Sequence, residues 1–268
     1  MRDQTEIKTI VKEKYGDIAQ KATTSCCGSK PSCCGPVEGT DYSIIGDEYS
    51  GIEGYVSEAD LGLGCGLPTE HAGLKSGQTV VDLGSGAGND VFVARSIVGE
   101  TGRVIGIDMT EEMLELANKN NLKLGYENVE FKLGEIESLP LESNTTDVVI
   151  SNCVLNLVPD KTQAFAEIHR ILKPGGHFCV SDIVLNGVLP EKLRKSAEMY
   201  AGCVAGALQE TEYLKIIETT GFTNSEVKKQ SLIDLPDDVL KEYLSVVEIA
   251  AYRASDLGIY SITVVGYK

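Results

Sequence analysis

VVDLGSGAGND, residues 80–90, is the stretch that decides the fold of this chain. The run Thr79–Leu83 is short, apolar and rich in β-branched residues, which predicts a buried parallel strand. A turn with glycine at every second position follows, and Asn89–Val98 then reads as a helix. Glycine permits positive φ and a close approach of the backbone to a ligand. In open α/β sheets nucleotides bind at this first turn, so we expect a ligand of that kind here.

Strand and helix patterns alternate on the carboxyl side of this stretch. Further strands are predicted at Arg103–Asp108, Val129–Leu133, Asp147–Ser151 and Gly176–Ile183, with helices at Glu111–Leu124 and from Asp160 to the breaker Lys173-Pro174-Gly175-Gly176. Alternation of this kind predicts an α/β, Rossmann-like fold, in which helices cover both faces of a mainly parallel sheet. In the tail we predict helices at Glu191–Ala207 and Thr211–Thr220 and strands at Thr223–Leu232 and Ile259–Tyr267.

Three regions follow from these patterns. Residues 1–50 combine an amphipathic helix, with Ile7, Ile10, Val11 and Tyr15 at helical spacing, and a cysteine-rich loop. Residues 51–185 form the Rossmann-like domain, and residues 186–268 form a smaller α+β region that we expect to contribute to substrate binding.

Composition narrows the classes of function. The 24 basic and 40 acidic residues give a net charge of −16, which would repel DNA and RNA. No stretch approaches the roughly 20 apolar residues of a membrane span, and the first residues lack the apolar segment of a signal peptide. We therefore expect a cytoplasmic protein without a nucleic-acid or membrane partner. A monomer is also our expectation, although composition does not fix the oligomeric state.

The glycine turn differs from other nucleotide motifs in its spacing. Its pattern is G-x-G-x-G, whereas a dinucleotide fold expects G-x-G-x-x-G, and no Lys-Ser/Thr follows as in a P-loop. Asp82 precedes the turn inside the strand end, and Asp108 ends the second strand. A carboxylate at the position of Asp108 can accept both hydroxyl groups of a ribose.

Five ordered motifs make the chain resemble the class I S-adenosylmethionine-dependent methyltransferases. They are DLGSGAG (82–88), GIDMTEEML (106–114), GEIESLP (134–140), SNCVLNLVPD (151–160) and LKPGG (172–176). The resemblance implies S-adenosylmethionine as cofactor, and a site made of Asp82, Gly84, Ser85, Gly86, Gly88, Asp108, Met109, Glu135, Ile136 and Asn152. In it the glycine loop packs against the methionine part and the ribose, and Glu135 and Ile136 border the adenine. The family often has Asp-Ala at these last two positions, so this chain departs from it there.

Cysteine positions narrow the resemblance further. The chain has 8 cysteines. Because structural disulfides are disfavoured in the cytoplasm, these cysteines need another explanation. Cys65 lies in GLGCG before the first strand, Cys153 in SNCVLNL after the fourth, and Cys203 in GCVAGAL in the tail. With the cysteine-rich N-terminal segment, these features resemble the arsenite methyltransferases. That resemblance implies that Cys65, Cys153 and Cys203 bind arsenic(III) from an arsenite–thiol adduct.

The chemistry agrees with this resemblance. Soft thiolates select soft centres, and three of them suit pyramidal arsenic(III) while leaving its lone pair available for attack on a sulfonium methyl group. No general base is needed, which fits a chain with 3 histidines and no evident catalytic dyad. In the family, methylation oxidises arsenic and cysteines reduce it again, forming a disulfide that thioredoxin or glutathione opens.

Other interpretations of the thiols remain open. Cys179, in the middle of a strand, is expected to be a small core residue. The pairs Cys26-Cys27 and Cys33-Cys34 could relay arsenic or disulfides or be incidental, and their spacing does not suit a structural zinc site. For the whole chain, the alternatives are a methyltransferase of a small organic substrate and a thiol-rich metalloid-binding protein without turnover.

Overall fold

The computed structural model describes residues 4–24, 49–188, 191, 204, 206–233, 237–241, 243–255 and 258–268. The helices are α1 (Gln4–Thr24), α2 (Pro68–His71), α3 (Asn89–Val98), α4 (Glu111–Leu124), α5 (Lys161–Ile171), α6 (Glu210–Thr219), α7 (Asp237–Lys241) and α8 (Val246–Arg253). The strands are β1 (Thr79–Leu83), β2 (Arg103–Asp108), β3 (Val129–Leu133), β4 (Thr146–Asn152), β5 (Leu172–Asn186), β6 (Leu208–Gln209), β7 (Thr223–Leu232) and β8 (Gly258–Tyr267). No helix in these ranges is long and apolar enough to cross a membrane.

All the strands belong to one sheet of order β3-β2-β1-β4-β5-β8-β7, with β6 beside β5. The pairs from β3 to β5 are parallel, and among the strands of the described residues only β8 runs antiparallel to its neighbours, β5 and β7. The chain moves outward from β1 to β3 and then crosses to β4 on the other side. Ligands of open α/β sheets bind at the carboxyl ends of strands where the order reverses in this way, which is between β1 and β4.

Alternation of side chains along the strands divides the core between two faces of the sheet. Val81 of β1 belongs to one apolar cluster with Phe165 of α5 and Tyr213 of α6, whereas its neighbour Val80 belongs to another cluster, with Phe92 of α3, on the opposite face. The strands are apolar on both sides because helices cover both faces. The predicted fold class is confirmed.

Strands β1, β2 and β3 have the predicted bounds, because they are short and glycine marks the turns beside them. Further along, β4 is one residue longer at each end, and β5 begins at Leu172 rather than Gly176. Pro174 lacks a backbone N–H, and the β4–β5 register shifts between Thr146 and Val148. The residues predicted to end the helix, Lys173-Pro174-Gly175-Gly176, therefore lie inside β5, where its pairing with β4 is irregular.

The terminal regions add packing around this sheet. The predicted N-terminal helix is present as α1, and its Val11 is buried with Ile183 and Leu185 of β5. In the tail α6, β7 and β8 match predicted elements, whereas α7 and α8 were not predicted; most of the predicted helix Glu191–Ala207 lies outside the described residues. The three-region division stays a prediction, with β7 and β8 extending the central sheet.

Candidate functional site

A cleft of about 1090 Å³, partly open to solvent, lies at the carboxyl ends of β1, β2 and β4. Its walls come from the glycine loop, the segment after β2, the loop after β3, the end of β4 and helix α1. The predicted site residues that line the cleft are Asp82, Gly84, Ser85, Gly86, Asp108, Met109, Glu135, Ile136, Asn152 and Cys153. The fold thus brings together segments that are far apart in the sequence.

The glycines of the loop are needed for two different reasons. Gly84 has φ +69, and a Cβ there would lie 2.4 Å from Cγ2 of Val154. At Gly88, with φ +97, a Cβ would lie 2.9 Å from the ring of Phe92. Gly86 is different, because its Cβ position meets nothing closer than Sδ of Met113 at 4.0 Å. Gly84 and Gly88 therefore allow close packing of the protein, while Gly86 leaves its space to the cleft.

Asp108 ties the glycine loop to the end of β2. Its Oδ2 accepts a hydrogen bond from the backbone N–H of Gly86 at 2.9 Å, and its Oδ1 accepts one from that of Thr110 at 2.9 Å. The hydroxyl of Ser85 is buried beside Gly106, where an added Cβ would lie 2.7 Å from it. Asp108 is consequently preorganised by the glycine loop and by the segment that follows β2.

Three carboxyl groups surround the loop: Asp82 and Asp90 are buried, and Asp108 is partly buried. Burial raises the pKa of Asp108, and burial together with the nearby Asp90 and Asp108 raises the pKa of Asp82 well above its ordinary value. Burial also raises the pKa of Asp90 to about 6, although hydrogen bonds from Asn152 and Tyr49 oppose the shift. Proximity of like charges in a dry site disfavours ionisation. A cationic ligand would relieve that cost.

Helix α1 closes the side of the cleft that Glu135 and Ile136 border. Nζ of Lys8 lies 2.7 Å from Oε2 of Glu135 and 3.0 Å from Oε1 of Glu137. Burial lowers the pKa of Lys8, but its bonds to both carboxylates outweigh this and leave the pKa raised. The structure thus places Glu135 at the cleft with its carboxylate engaged by the helix.

Asn152 connects the cleft to the loop that carries Cys65. Its Nδ2 donates to the carbonyl of Gly66 at 2.8 Å and to the hydroxyl of Tyr49 at 2.7 Å, and its Oδ1 accepts from the backbone N–H of Cys65 at 3.0 Å. The Tyr49 hydroxyl in turn donates to both carboxylate oxygens of Asp90, each at 2.9 Å. Sequence reasoning named neither Tyr49 nor Asp90 as a site residue.

Two of the three predicted arsenic ligands come together beside the cleft. The sulfur atoms of Cys65 and Cys153 and a carboxylate oxygen of Asp182 all lie within 4.8 Å of one another. Cys153 has φ +58, a left-handed conformation that costs a non-glycine residue about 1–2 kcal/mol, and its N–H donates to the carbonyl of Ser181 at 2.7 Å. Strain of this kind persists at functional sites.

The remaining predicted thiols are placed as follows. Cys179 lies on the face of β5 away from this group, donates to the carbonyl of Pro68 at 3.2 Å, and has a pKa raised by burial to about 12. It is an inert core thiol, as predicted. Cys203 and the N-terminal cysteines Cys26, Cys27, Cys33 and Cys34 lie outside the described residues.

Known proteins share this arrangement of elements. Residues 74–221 match the family model described as a methyltransferase domain. An arsenite methyltransferase of Halobacterium salinarum is 38% identical over 252 residues, covering 91% of this chain and 62% of that protein. One from Aquipseudomonas alcaligenes is 34% identical, covering 87% of this chain and 67% of that protein.

A solved structure is also similar to this chain. The arsenic(III) S-adenosylmethionine methyltransferase of Chlamydomonas reinhardtii has a TM-score of 0.63 and 37% identity, and the match covers 74% of this chain and 65% of that one. The chain therefore spans 62–67% of the length of these three relatives.

Proposed function

Because the chain belongs to the arsenite methyltransferase family, we propose that it transfers methyl groups from S-adenosylmethionine to trivalent arsenic held by cysteine thiolates. The observation that carries this proposal is the meeting of Cys65 and Cys153 beside a cleft that ends at the glycine loop. Arsenic(III) is thiophilic, and two thiols at this distance can chelate one arsenic atom. Cys203 is proposed as the third ligand.

The cleft fits the cofactor in three respects. Gly86 leaves open the space that a Cβ would fill. Oδ1 of Asn89, on the same wall, is buried without a hydrogen-bond partner among the described residues, so it can accept one from a ligand. Burial raises the pKa values of Asp82, Asp90 and Asp108; a bound cation would ease their ionisation, and the cofactor carries a sulfonium and an ammonium charge.

Each side chain of the proposed site has a role in binding or orientation. Asp108 would hold the ribose hydroxyls, with Met109 and Ile136 along the adenine. When bound, S-adenosylmethionine supplies an electrophilic methyl group. Cys65 and Cys153 would hold arsenic so that its lone pair faces the cleft, and Asn152 would fix both thiol-bearing segments. The enzyme's contribution is then mainly proximity and alignment, without a general base.

Turnover also requires electrons. Forming the arsenic–carbon bond uses the lone pair and oxidises arsenic from the trivalent to the pentavalent state. Two thiols that form a disulfide return two electrons and release two protons. Thioredoxin or glutathione is the proposed reductant of that disulfide, and the pairs Cys26-Cys27 and Cys33-Cys34 are a proposed relay.

The test is a methylation assay with arsenite, a dithiol and S-adenosylmethionine, in which S-adenosylhomocysteine is quantified and arsenicals are identified by mass. Formation of S-adenosylhomocysteine should depend on arsenite. Equal formation without arsenite would refute arsenic as the substrate and favour a small organic substrate.

Cysteine variants test the ligand assignment. Cys65→Ser and Cys153→Ser should each lower the rate by about 100-fold or more, because a misplaced reactant loses the benefit of alignment. Cys179→Ser is the matched control and should retain activity, since a serine can still donate to the Pro68 carbonyl. If Cys153→Ser and Cys203→Ser both retain full arsenite methylation, the three-thiolate mechanism fails.

A further inference from the structure

The group formed by Cys65, Cys153 and Asp182 has a composition that arsenic alone does not require. Two sulfur atoms and one carboxylate oxygen lie within 4.8 Å of one another, and the three residues are 2%, 5% and 1% exposed. Both cysteines belong to an apolar cluster with Leu157 and Ile183. Burying a carboxylate in such surroundings is costly, and the nearby charge of Lys161 and hydrogen bonds offset part of this cost for Asp182.

The carboxylate of Asp182 is held in a fixed orientation. Its Oδ2 accepts a hydrogen bond from the Tyr213 hydroxyl at 3.1 Å, and its Oδ1 accepts one from the N–H of Ile183 at 3.0 Å. The carboxylate lies on β5, whereas the thiols come from the end of β4 and from the loop before α2. Hydrogen bonds that orient a donor group in this way are typical of the surroundings of a metal ligand.

We propose that Cys65, Cys153 and Asp182 form a binding site for a divalent cation of borderline softness, represented by Zn²⁺. Zinc accepts thiolates at about 2.3 Å and carboxylate oxygens at about 2.0–2.2 Å in a tetrahedral arrangement. Donors around one ion are then roughly 3.5–3.8 Å apart, which the observed group reaches by a small contraction. Binding replaces two thiol protons, which leave to solvent, and the fourth position stays available to water or to another thiolate.

Asp182 distinguishes this cation from trivalent arsenic. Arsenic(III) is soft and takes the sulfur atoms, whereas zinc also uses oxygen ligands. The two occupants need the same pair of thiolates, so zinc excludes arsenic. Inhibition by zinc should therefore be competitive towards arsenite; this consequence rests on the proposed function, while the binding of zinc does not.

The experiment uses the full chain with Cys26, Cys27, Cys33 and Cys34 changed to Ser, so that other thiols do not bind the probe. The reduced, metal-free protein is titrated with Zn²⁺ against a chromogenic chelator, and with Co²⁺ to detect thiolate-to-cobalt charge transfer. One ion should bind per chain, and Cys153→Ser should abolish the charge-transfer band. A titration without stoichiometric binding overturns the proposal.

Variants of the oxygen donor provide the decisive comparison. Asp182→Asn should weaken zinc binding by more than the roughly 10–100-fold that removal of an outer-shell partner causes, while changing arsenite binding far less, and the exposed Asp237→Asn is the matched control. Tyr213→Phe keeps the carboxylate but removes one bond that orients it, so it should weaken zinc binding to a smaller extent; it also serves if Asp182→Asn does not fold.

Two results would contradict the assignment of Asp182. One is zinc affinity unchanged in Asp182→Asn, or in Tyr213→Phe when only that variant folds. The other is loss of the site in Cys203→Ser but not in Asp182→Asn, which would assign the ion to three cysteines. Failure of the proposed function is read separately, as absence of arsenite-dependent S-adenosylhomocysteine in the parent protein.

Discussion

The side-chain amide of Asn152 connects the cleft to the loop that carries Cys65. Both of its polar atoms are used: the nitrogen bonds Tyr49 and Gly66, and the oxygen bonds the N–H of Cys65. Gly64 completes the fit, because a Cβ there would lie 2.7 Å from Nδ2 of Asn152. Gly64 therefore reflects close packing against this amide, and the position of Cys65 depends on the amide.

Tyr49→Phe tests this network at the residue scale. The change removes a hydrogen bond to the buried Asp90, which should lower the free energy of unfolding by about 1–3 kcal/mol. The change also removes the hydroxyl to which Asn152 donates, so that Asn152 is held less firmly. The KM for arsenite should therefore rise several-fold, while the affinity for S-adenosylmethionine changes less. Steady-state kinetics and cofactor titration measure the two effects.

Tyr55→Phe is the control for that variant. Tyr55 stacks on Tyr49 with ring centroids 6.4 Å apart, and its hydroxyl bonds Asp60 outside the network. The network does not position Cys65 if Tyr49→Phe raises the KM for arsenite and weakens the binding of S-adenosylmethionine to the same extent. The same conclusion follows if Tyr55→Phe raises the KM for arsenite as much as Tyr49→Phe does.

Sequence reasoning could name Asn152 but not its partners. Asn152 follows a strand in a recognisable motif, whereas Tyr49 precedes Cys65 in an irregular segment and meets Asp90 only in the folded chain. Asp182 carried a local signal, since an acid inside the apolar run of β5 is unusual for a strand buried on both faces. Its proximity to two thiols is a tertiary property and had no such signal.

Helix α1 acts as a cover for the cleft at the scale of elements. It packs on α4, where its buried Gly16 allows close approach: a Cβ there would lie 3.3 Å from Glu112. Val11 and Tyr15 line the cleft, and Lys8 reaches Glu135 and Glu137. These contacts exclude water from one side of the site.

Lys8→Met should loosen this cover without unfolding the protein. A partly exposed ion pair contributes only about 0–1 kcal/mol to stability, so the unfolding transition should move little. The affinity for S-adenosylmethionine should fall several-fold, because the helix no longer engages the loop after β3. Isothermal titration checks the affinity, with the exposed Lys12→Met of the same helix as control. Equal affinities for the two variants would contradict a covering role.

The elements themselves were predictable to different degrees. The bounds of β1, β2, β3, α3 and α4 follow from local patterns, with apolar runs between glycine turns. The start of β5 does not, because pairing with β4 extends the strand through Pro174. Helix α8 depends on its capping box, in which Ser245 and Glu248 bond each other's backbone, and that short signal was not used in the prediction.

At the scale of the whole molecule, charge is distributed unevenly between surface and interior. The formal net charge is −16, and two of the acids that it counts, Asp82 and Asp90, are buried at the cleft. Both features make the protein self-repelling as carboxyl groups ionise. The buried acids matter more, because low dielectric strengthens each interaction and solvent ions do not screen it well.

Stability should therefore fall as pH rises through the range in which Asp90 ionises. Its pKa is about 6 in the folded protein against an ordinary 3.8, so the folded state binds more protons than the unfolded chain between these values. The free energy of unfolding then decreases from about pH 4 to about pH 6, with a slope of about 1.4 kcal/mol per pH unit for one such group. Asp90→Asn removes this contribution and should reduce the slope by about that amount, while Asp82, Asp108 and Asp182, whose pKa values are also raised, still contribute; the exposed Glu100→Gln should leave the slope unchanged. Urea unfolding of the ligand-free protein at a series of pH values measures the slope, and an unchanged slope in Asp90→Asn would show that the group ionises normally in the fold.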